Sequence, residues 1–369
     1  IPWINTVVRD RINRGEAESS QLDWAFEELV PDEEPGGLDL GTRLVGNYAT
    51  LAEWGSRTAP IANRLANAEP VRAVLERVAG IDRRRELPAF ADESLVDWFE
   101  TRGGPAVSAG AATREAVVYP DTATNYVDVD RGKATVRALE ALGVHVRVPG
   151  LPGSGRPPLS QGMVSTAESA AEDVSAALSP HLDAGRDVVV VEPSDLAMFR
   201  REYGKLLDPD AHERLAEASY DVMEYLFGLL ENGGDPDALR SPWTADGARS
   251  SETADGARSS ETADARPGVA YHPHCQARTI GVGEHATAVL ERLGYDVQVS
   301  DTECCGMAGS FGYKADYYEL SMDVGEPLRE DFGGSDRVVV ASGTSCGEQL
   351  DALCGGSAKH PVELVSPPK

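Results

Sequence analysis

Two stretches of the chain repeat one spacing, and that repeat limits the folds open to it. Gly143 and Gly155 are 12 residues apart, as are Gly294 and Gly306; Gly155 to Asp195 is 40 residues, as is Gly306 to Cys346. Around these anchors Val118-Tyr119 matches Ala270-Tyr271, and Arg137-Ala-Leu-Glu-Ala-Leu-Gly143 matches Ala288-Val-Leu-Glu-Arg-Leu-Gly294. Short apolar runs read as strands at Glu115–Tyr119, Val144–Val148 and Asp187–Glu192, then at Val269–Tyr271, Asp296–Val299 and Arg337–Ala341. Helical periods lie between them, at Val129–Gly143, Ser165–Leu182 and Glu284–Leu293. Continuous apolar strands alternating with helices imply parallel sheets covered on both faces. The expected fold class is therefore α/β, with two duplicated Rossmann-like parallel-sheet modules.

Only one copy carries sulfur. All five cysteines lie at or beyond residue 275, and 28 residues separate Cys275 from the adjacent pair Cys304-Cys305. Another 39 separate Cys304-Cys305-Gly306 from Cys346. Adjacent thiols put two soft ligands on one turn of backbone, and Gly306, Gly309 and Gly312 leave amide N–H groups free to approach a metal or sulfide. The next stretch, Tyr313–Glu330, reads as a helix with Tyr317, Leu320, Val324 and Leu328 on one face. The pair would then sit just before a helix N-terminus, which favours thiolate. Four thiolates from three chain positions suit an iron–sulfur cluster or a zinc site. Buried small hydrophobes or a disulfide would be the alternatives, but vicinal cysteines rarely cross-link one another.

The spacing maps Gly153-Ser154 onto Cys304-Cys305, Asp195 onto Cys346, and the stretch Asp121–Thr124 onto Cys275. Every thiol of the second copy is thus replaced in the first. One copy can hold a cluster and the other cannot.

The pattern Cys275-x28-Cys304-Cys305-Gly306-x39-Cys346 resembles the cysteine-rich CCG domain. That domain is shared by the heterodisulfide reductase B subunit, the glycerol-3-phosphate dehydrogenase C subunit and the carboxy-terminal part of FAD-linked D-lactate and glycolate dehydrogenases. Tyr271-His-Pro-His-Cys-Gln276 and Glu303-Cys-Cys-Gly-Met-Ala-Gly-Ser-Phe-Gly-Tyr313 look most similar to the FAD-linked enzymes. The family pattern ends in Cys-x-x-Cys, whereas here Gln349 takes the last place. The resemblance implies two modules facing each other, and a cluster held by Cys275, Cys304, Cys305 and Cys346. Four thiolates fit a [4Fe–4S] cluster better than the family's five-cysteine cluster; Cys354, eight residues past Cys346, is the remaining candidate for a fifth. His274 and Glu303 would stand just behind the ligands. Asp121, Asn125, Tyr126, Arg156 and Asp195 would line the thiol-free site of the first copy.

By the same resemblance the chain is the iron–sulfur part of a 2-hydroxyacid dehydrogenase. A partner domain or chain would carry FAD, a ferredoxin-like iron–sulfur domain would adjoin, and a quinone or other acceptor would take the electrons. Neither the flavin domain nor the closely spaced Cys-x2-Cys runs of a ferredoxin occur in this sequence. The rival classes are a cluster-based disulfide or quinone reductase and a zinc-binding docking scaffold.

Sixty-one acidic against 34 basic residues give a net charge of −27, and only five of the basic residues are lysines. Such a surface suits a protein working in concentrated salt, which screens its self-repulsion. It argues against nucleic acid, whose phosphates need clustered Lys and Arg. Free thiols and the lack of long apolar runs point to a cytoplasmic location, with peripheral attachment to the inner membrane face as the variant. The chain begins at Ile1, which suggests a fragment of a longer polypeptide.

Four regions are expected: a helical segment at 1–112, the first α/β module at 113–234, a disordered linker at 235–267 and the second module at 268–369. The helical segment includes the Glu33–Gly37 loop, and Pro60 and Pro70 as first-turn prolines. The linker contains Thr244-Ala-Asp-Gly-Ala-Arg-Ser-Ser-Glu252, which recurs at 253–261 and has no apolar period.

Overall fold

The structure is a computed structural model and describes residues 38, 40–239 and 266–368. The Glu33–Gly37 loop and the repeat at 244–261 lie outside the described residues. Among the described residues four helices come first: α1 (Leu40–Gly46), α2 (Tyr48–Arg57), α3 (Ala59–Ala66) and α4 (Glu69–Ala79). Pro60 and Pro70 occupy first-turn positions, where a missing N–H costs nothing. A fifth, α5 (Leu95–Thr101), is capped by the Ser94 hydroxyl, which accepts the Asp97 N–H.

The first module contains β1 (Arg114–Tyr119), α6 (Thr122–Tyr126), α7 (Val129–Ala141), β2 (Val144–Arg147), α8 (Arg156–Ser160), α9 (Val164–Asp183), β3 (Asp187–Val190), α10 (Pro193–Arg200), α11 (Pro209–Glu217), β4 (Ser219–Asp221) and α12 (Val222–Glu231). Its sheet is parallel throughout, in the order β2-β1-β3-β4. The second contains β5 (Gly268–His272), α13 (Cys275–Thr279), α14 (Gly283–Arg292), β6 (Asp296–Val299), α15 (Tyr318–Phe332), β7 (Val338–Ala341), α16 (Thr344–Cys354) and α17 (Pro361–Val365), with parallel order β6-β5-β7. The short strand β4 was not foreseen from the sequence; its counterpart in the second sheet shrinks to a single parallel bridge, Val340 to Lys359. The helix that follows begins with a capping box in both copies, Asp221 with Glu224 and His360 with Glu363.

Register corrects the expected strand match by one residue. Val117 lies opposite Arg147 and Ala270 opposite Gln298, and those partners each stand four residues past the anchoring glycine. Val118 therefore corresponds to Tyr271, and Tyr119 to His272. A one-residue slip changes which side chain ends the strand, and here it brings a histidine to the site.

The two modules face each other about an approximate two-fold relation: α12 packs on α14, and α17 packs on α7. One apolar core runs through both, containing Val118, Leu139 and Leu226 from the first copy and Val269, Leu290 and Val362 from the second. The helical segment is tied to the cysteine loop. Buried Arg85 donates to Gly312 O (2.8 Å) and Ser321 Oγ (2.9 Å), and Ala315 N–H donates to Gly80 O (2.8 Å).

That tie overturns the single helix expected from Tyr313. Lys314 bridges to Ile81 in extended conformation, so two short 3-10 turns, Phe311–Tyr313 and Ala315–Tyr317, precede α15. Leu328 is buried as expected, but Tyr317, Leu320 and Val324 are 42%, 52% and 40% exposed. Cys304 and Cys305 consequently do not precede a helix N-terminus. Among the described residues, no helix is long and apolar enough to cross a membrane.

A shared core predicts joint unfolding. Leu226→Ala, at the seam, should cost roughly 2–5 kcal/mol, and circular dichroism in concentrated salt should show one transition moving to lower denaturant. Two separate transitions would contradict a common core.

Candidate metal centre

Parallel pairing of β5 with β7 sets His272 opposite Ala341, so the helices that follow both strands start at the same edge of the sheet. Cys275 is the first residue of α13 and Cys346 the third of α16. The helix-start argument therefore passes from the cysteine pair to these two residues. The pair arrives on the loop after β6. There Gly306 has φ +91° and a Cβ would lie 2.2 Å from Ser321 O, so only glycine fits. Ala308, three residues past Cys305, holds φ +42°, a conformation a side chain rarely adopts.

This loop presses Cys305 against two other thiols, Cys304 and Cys346. Cys305, Cys346 and His272 are all buried, and their ligating atoms lie within 4.8 Å of one another. The Cys304 Sγ accepts the Gly306 N–H at 3.5 Å and is half-buried, while Cys275 is exposed at the rim within the electrostatic reach of Cys304. The hydrogen bond with Cys305, then burial, pushes the Cys304 thiol up. For Cys305 the contact with Cys304 acts the other way, but Cys346 and burial outweigh it and its thiol is also raised. Burial raises Cys275. Crowded thiols of this kind stay protonated on their own, and a bound cation would offset the repulsion between their ionised forms.

The donor set fits such a cation. His272 Nδ1 lies 2.7 Å from Ser300 Oγ, and its Nε2 is buried with no hydrogen-bond partner among the described residues. Burial, then Arg278, lowers its pKa to about 3, so the ring is neutral. In the tautomer that donates Nδ1–H to Ser300, Nε2 keeps a free lone pair, the arrangement a metal-binding imidazole needs. His274, expected just behind the ligands, is the residue before Cys275 and caps its helix. Its Nδ1 accepts the Gln276 N–H (3.0 Å) as the cap of α13, and its Nε2 is 4.0 Å from Glu192 Oε1. Glu303 is exposed on the loop.

Cys354 is not part of this cluster. Eight residues of helix place it about 12 Å along α16 from Cys346. Gln349, at the family's last cysteine position, is fully buried and donates to Ser321 O at 2.9 Å.

The equivalent place in the first module is filled. Ser154 donates to Asp195, which is the third residue of α10 as Cys346 is of α16. Tyr203 donates to Ser154 O (2.8 Å) and Tyr119 to Pro152 O (2.7 Å), with Phe199 between their rings at centroid separations of 5.0 and 5.3 Å. Asp121 caps α6 as His274 caps α13. Burial pushes Asp121 up to about 6 and Asp195 well above the carboxylate range, and repulsion between the two raises Asp195 further. Arg156 faces Glu202 at 3.8 Å and its field reaches Cys275 and Asp195. Of the five residues expected to line this site, Asp121, Arg156 and Asp195 gather there. Asn125 and Tyr126 do not: Asn125 Oδ1 accepts the Val96 N–H (3.2 Å), and Tyr126 lies among Glu53, Arg57 and Asp97 of the helical segment.

Residues 269–351 match the family model described as a cysteine-rich domain, CCG. The second module is a CCG domain. Over 333 residues the chain is 24% identical to the C subunit of the anaerobic glycerol-3-phosphate dehydrogenase of Escherichia coli K12, covering 88% of this chain and 74% of the relative. It is also 24% identical over 255 residues to the D-2-hydroxyglutarate dehydrogenase of Pseudomonas putida, and over 269 residues to that of Escherichia coli K12. These matches cover 68% and 70% of this chain but only 22% and 23% of those longer proteins.

The filled site makes a prediction about pH. A carboxyl whose folded pKa is raised favours folding below its unfolded pKa, and that contribution is lost as pH rises through the folded value. Asp195→Asn should therefore leave stability unchanged near pH 4 and raise it at pH 8, as read by denaturant titration. Equal stabilities at pH 8 would contradict a buried, repelled pair.

Proposed function

We propose that the chain is the iron–sulfur electron-transfer module of a dehydrogenase, with the cluster held in the CCG domain by Cys275, Cys304, Cys305 and Cys346. The observation that carries this reading is the meeting of Cys305, Cys346 and His272, whose Nε2 is unpartnered among the described residues, with Cys304 against Cys305. When bound, the cluster relays single electrons between a two-electron donor and an acceptor. The chain's own residues hold and orient the site. Gly306 admits the loop, Ser300 orients His272, and Arg85 anchors the loop from the helical segment. The exposed Cys275 and half-buried Cys304 form the face a partner would approach.

The donor in this proposal is an FAD domain or chain that oxidises a hydroxyl compound. A 2-hydroxy acid of the D-lactate or glycolate type was the expectation from resemblance; the relatives' names add D-2-hydroxyglutarate and glycerol 3-phosphate, also alcohols. A ferredoxin-like domain and a quinone or other acceptor complete the path, at the inner face of the cytoplasm's bounding membrane or in the cytoplasm. The acidic surface fits work in concentrated salt.

A second reading has an observation in its favour. One histidine and two cysteines within 4.8 Å also form a zinc donor set, which would make the module a redox-silent docking scaffold. Electron paramagnetic resonance of protein prepared without air, reduced with dithionite and reoxidised with menadione, separates the two. The electron carrier should show a signal on reduction, lose it with menadione, and lack it in Cys305→Ser; His272→Ala should change its line shape. A colourless protein with no signal would overturn the proposal for the zinc scaffold.

A further inference from the structure

The helix carrying Cys346 lacks a cap of its own. Its N-cap is Gly343, which has no side chain to offer, and none can be added because a Cβ there would lie 2.2 Å from His274 Cδ2. The missing acceptor comes from the other module. Glu192, 8% exposed, accepts the Thr344 N–H on Oε2 at 2.9 Å, with Oε1 held by the Ser194 hydroxyl (2.9 Å) and N–H (3.3 Å). Arg131, also from the first module, donates to Thr344 Oγ1 at 3.0 Å.

The same carboxylate reaches the second thiol-bearing helix. His274 accepts the Gln276 N–H on Nδ1, so the neutral ring carries its hydrogen on Nε2, 4.0 Å from Glu192 Oε1. The residue after His274 is Cys275. One buried side chain thus accepts a hydrogen bond from the first turn of α16 and lies 4.0 Å from the cap of α13, the helices that carry Cys346 and Cys275.

We propose that Glu192 is the positioning residue of the metal centre: it locks the two thiol-bearing helices in register from across the module interface, and its charge lowers the reduction potential of the cluster. The inference rests on the electron-carrier reading above. It also gives the thiol-free module a role beyond scaffolding, since that module supplies a buried negative charge at the bases of both helices. Outer groups of this kind commonly change metal affinity by about 10–100-fold when removed, and a fixed negative charge disfavours the added electron.

The test uses the whole chain, prepared without air in concentrated salt, as wild type, Glu192→Gln and Glu192→Ala. Glu192→Gln keeps an oxygen that can accept the Thr344 N–H and removes the charge, giving up only the longer bond from the Ser194 N–H. It should retain the cluster with a more positive midpoint potential in a redox titration followed by electron paramagnetic resonance. Glu192→Ala should release iron to a chelator about tenfold faster. If Glu192→Ala fails to fold, the potential of Glu192→Gln still decides. A loaded wild type and a loaded Glu192→Gln with equal potentials would overturn the inference while leaving the electron carrier intact. A wild type that binds no cluster would overturn both.

Discussion

The site depends on the adjacency of two parallel strand ends. Because β5 and β7 pair in register, the chain turns out of the sheet twice at one edge and must start a helix each time. Side chains at those starts meet without any long-range loop having to find its partner. Such crevices at the carboxyl ends of parallel strands are where open α/β sheets bind their ligands. The cysteine loop then needs only to fold back across the crevice, and the left-handed glycine at 306 lets it approach α15 closely enough to do so.

Duplication supplied this geometry twice, and chemistry separates the copies. In the second module the strand ends on His272, and the thiols of Cys305 and Cys346 crowd its imidazole, with Cys304 against Cys305. In the first it ends on Tyr119, and a serine–aspartate hydrogen bond with packed aromatic rings occupies the corresponding space. Retaining two buried carboxyls there is costly. The common core offsets that cost by making the filled copy half of the support for the other. Glu192 shows the dependence at atomic scale, since a helix of the second module is capped from the first.

Much of this was legible in the sequence because it was written in spacing. Equal intervals between glycines and thiols revealed the duplication, and apolar runs marked the longer strands within a residue or two. Cys346 stands at a helix start beside the strand end of His272, and the loop after β6 brings Cys305 to both. What escaped were features decided by contacts distant in sequence. The bridge between Lys314 and Ile81 broke a helix that local periodicity favoured. The one-residue register difference concealed that His272, rather than His274, faces the thiols; its place as the last residue of a buried strand was the available signal. Asn125 and Tyr126 share a short helix with residues near the site, but that helix turns them toward the helical segment. Glu192 carried no motif, since its role exists only when the two modules meet.

Two like modules have thus diverged into one whose thiols gather beside a histidine and one whose equivalent space is filled. Native mass spectrometry of the intact chain, prepared and sprayed without air, counts clusters directly. The expected result is the mass increment of a single [4Fe–4S] cluster, abolished by Cys305→Ser and unchanged by Ser154→Ala. Two clusters on the wild-type chain would contradict this asymmetry, because the first module would then hold a metal where the structure shows packed side chains.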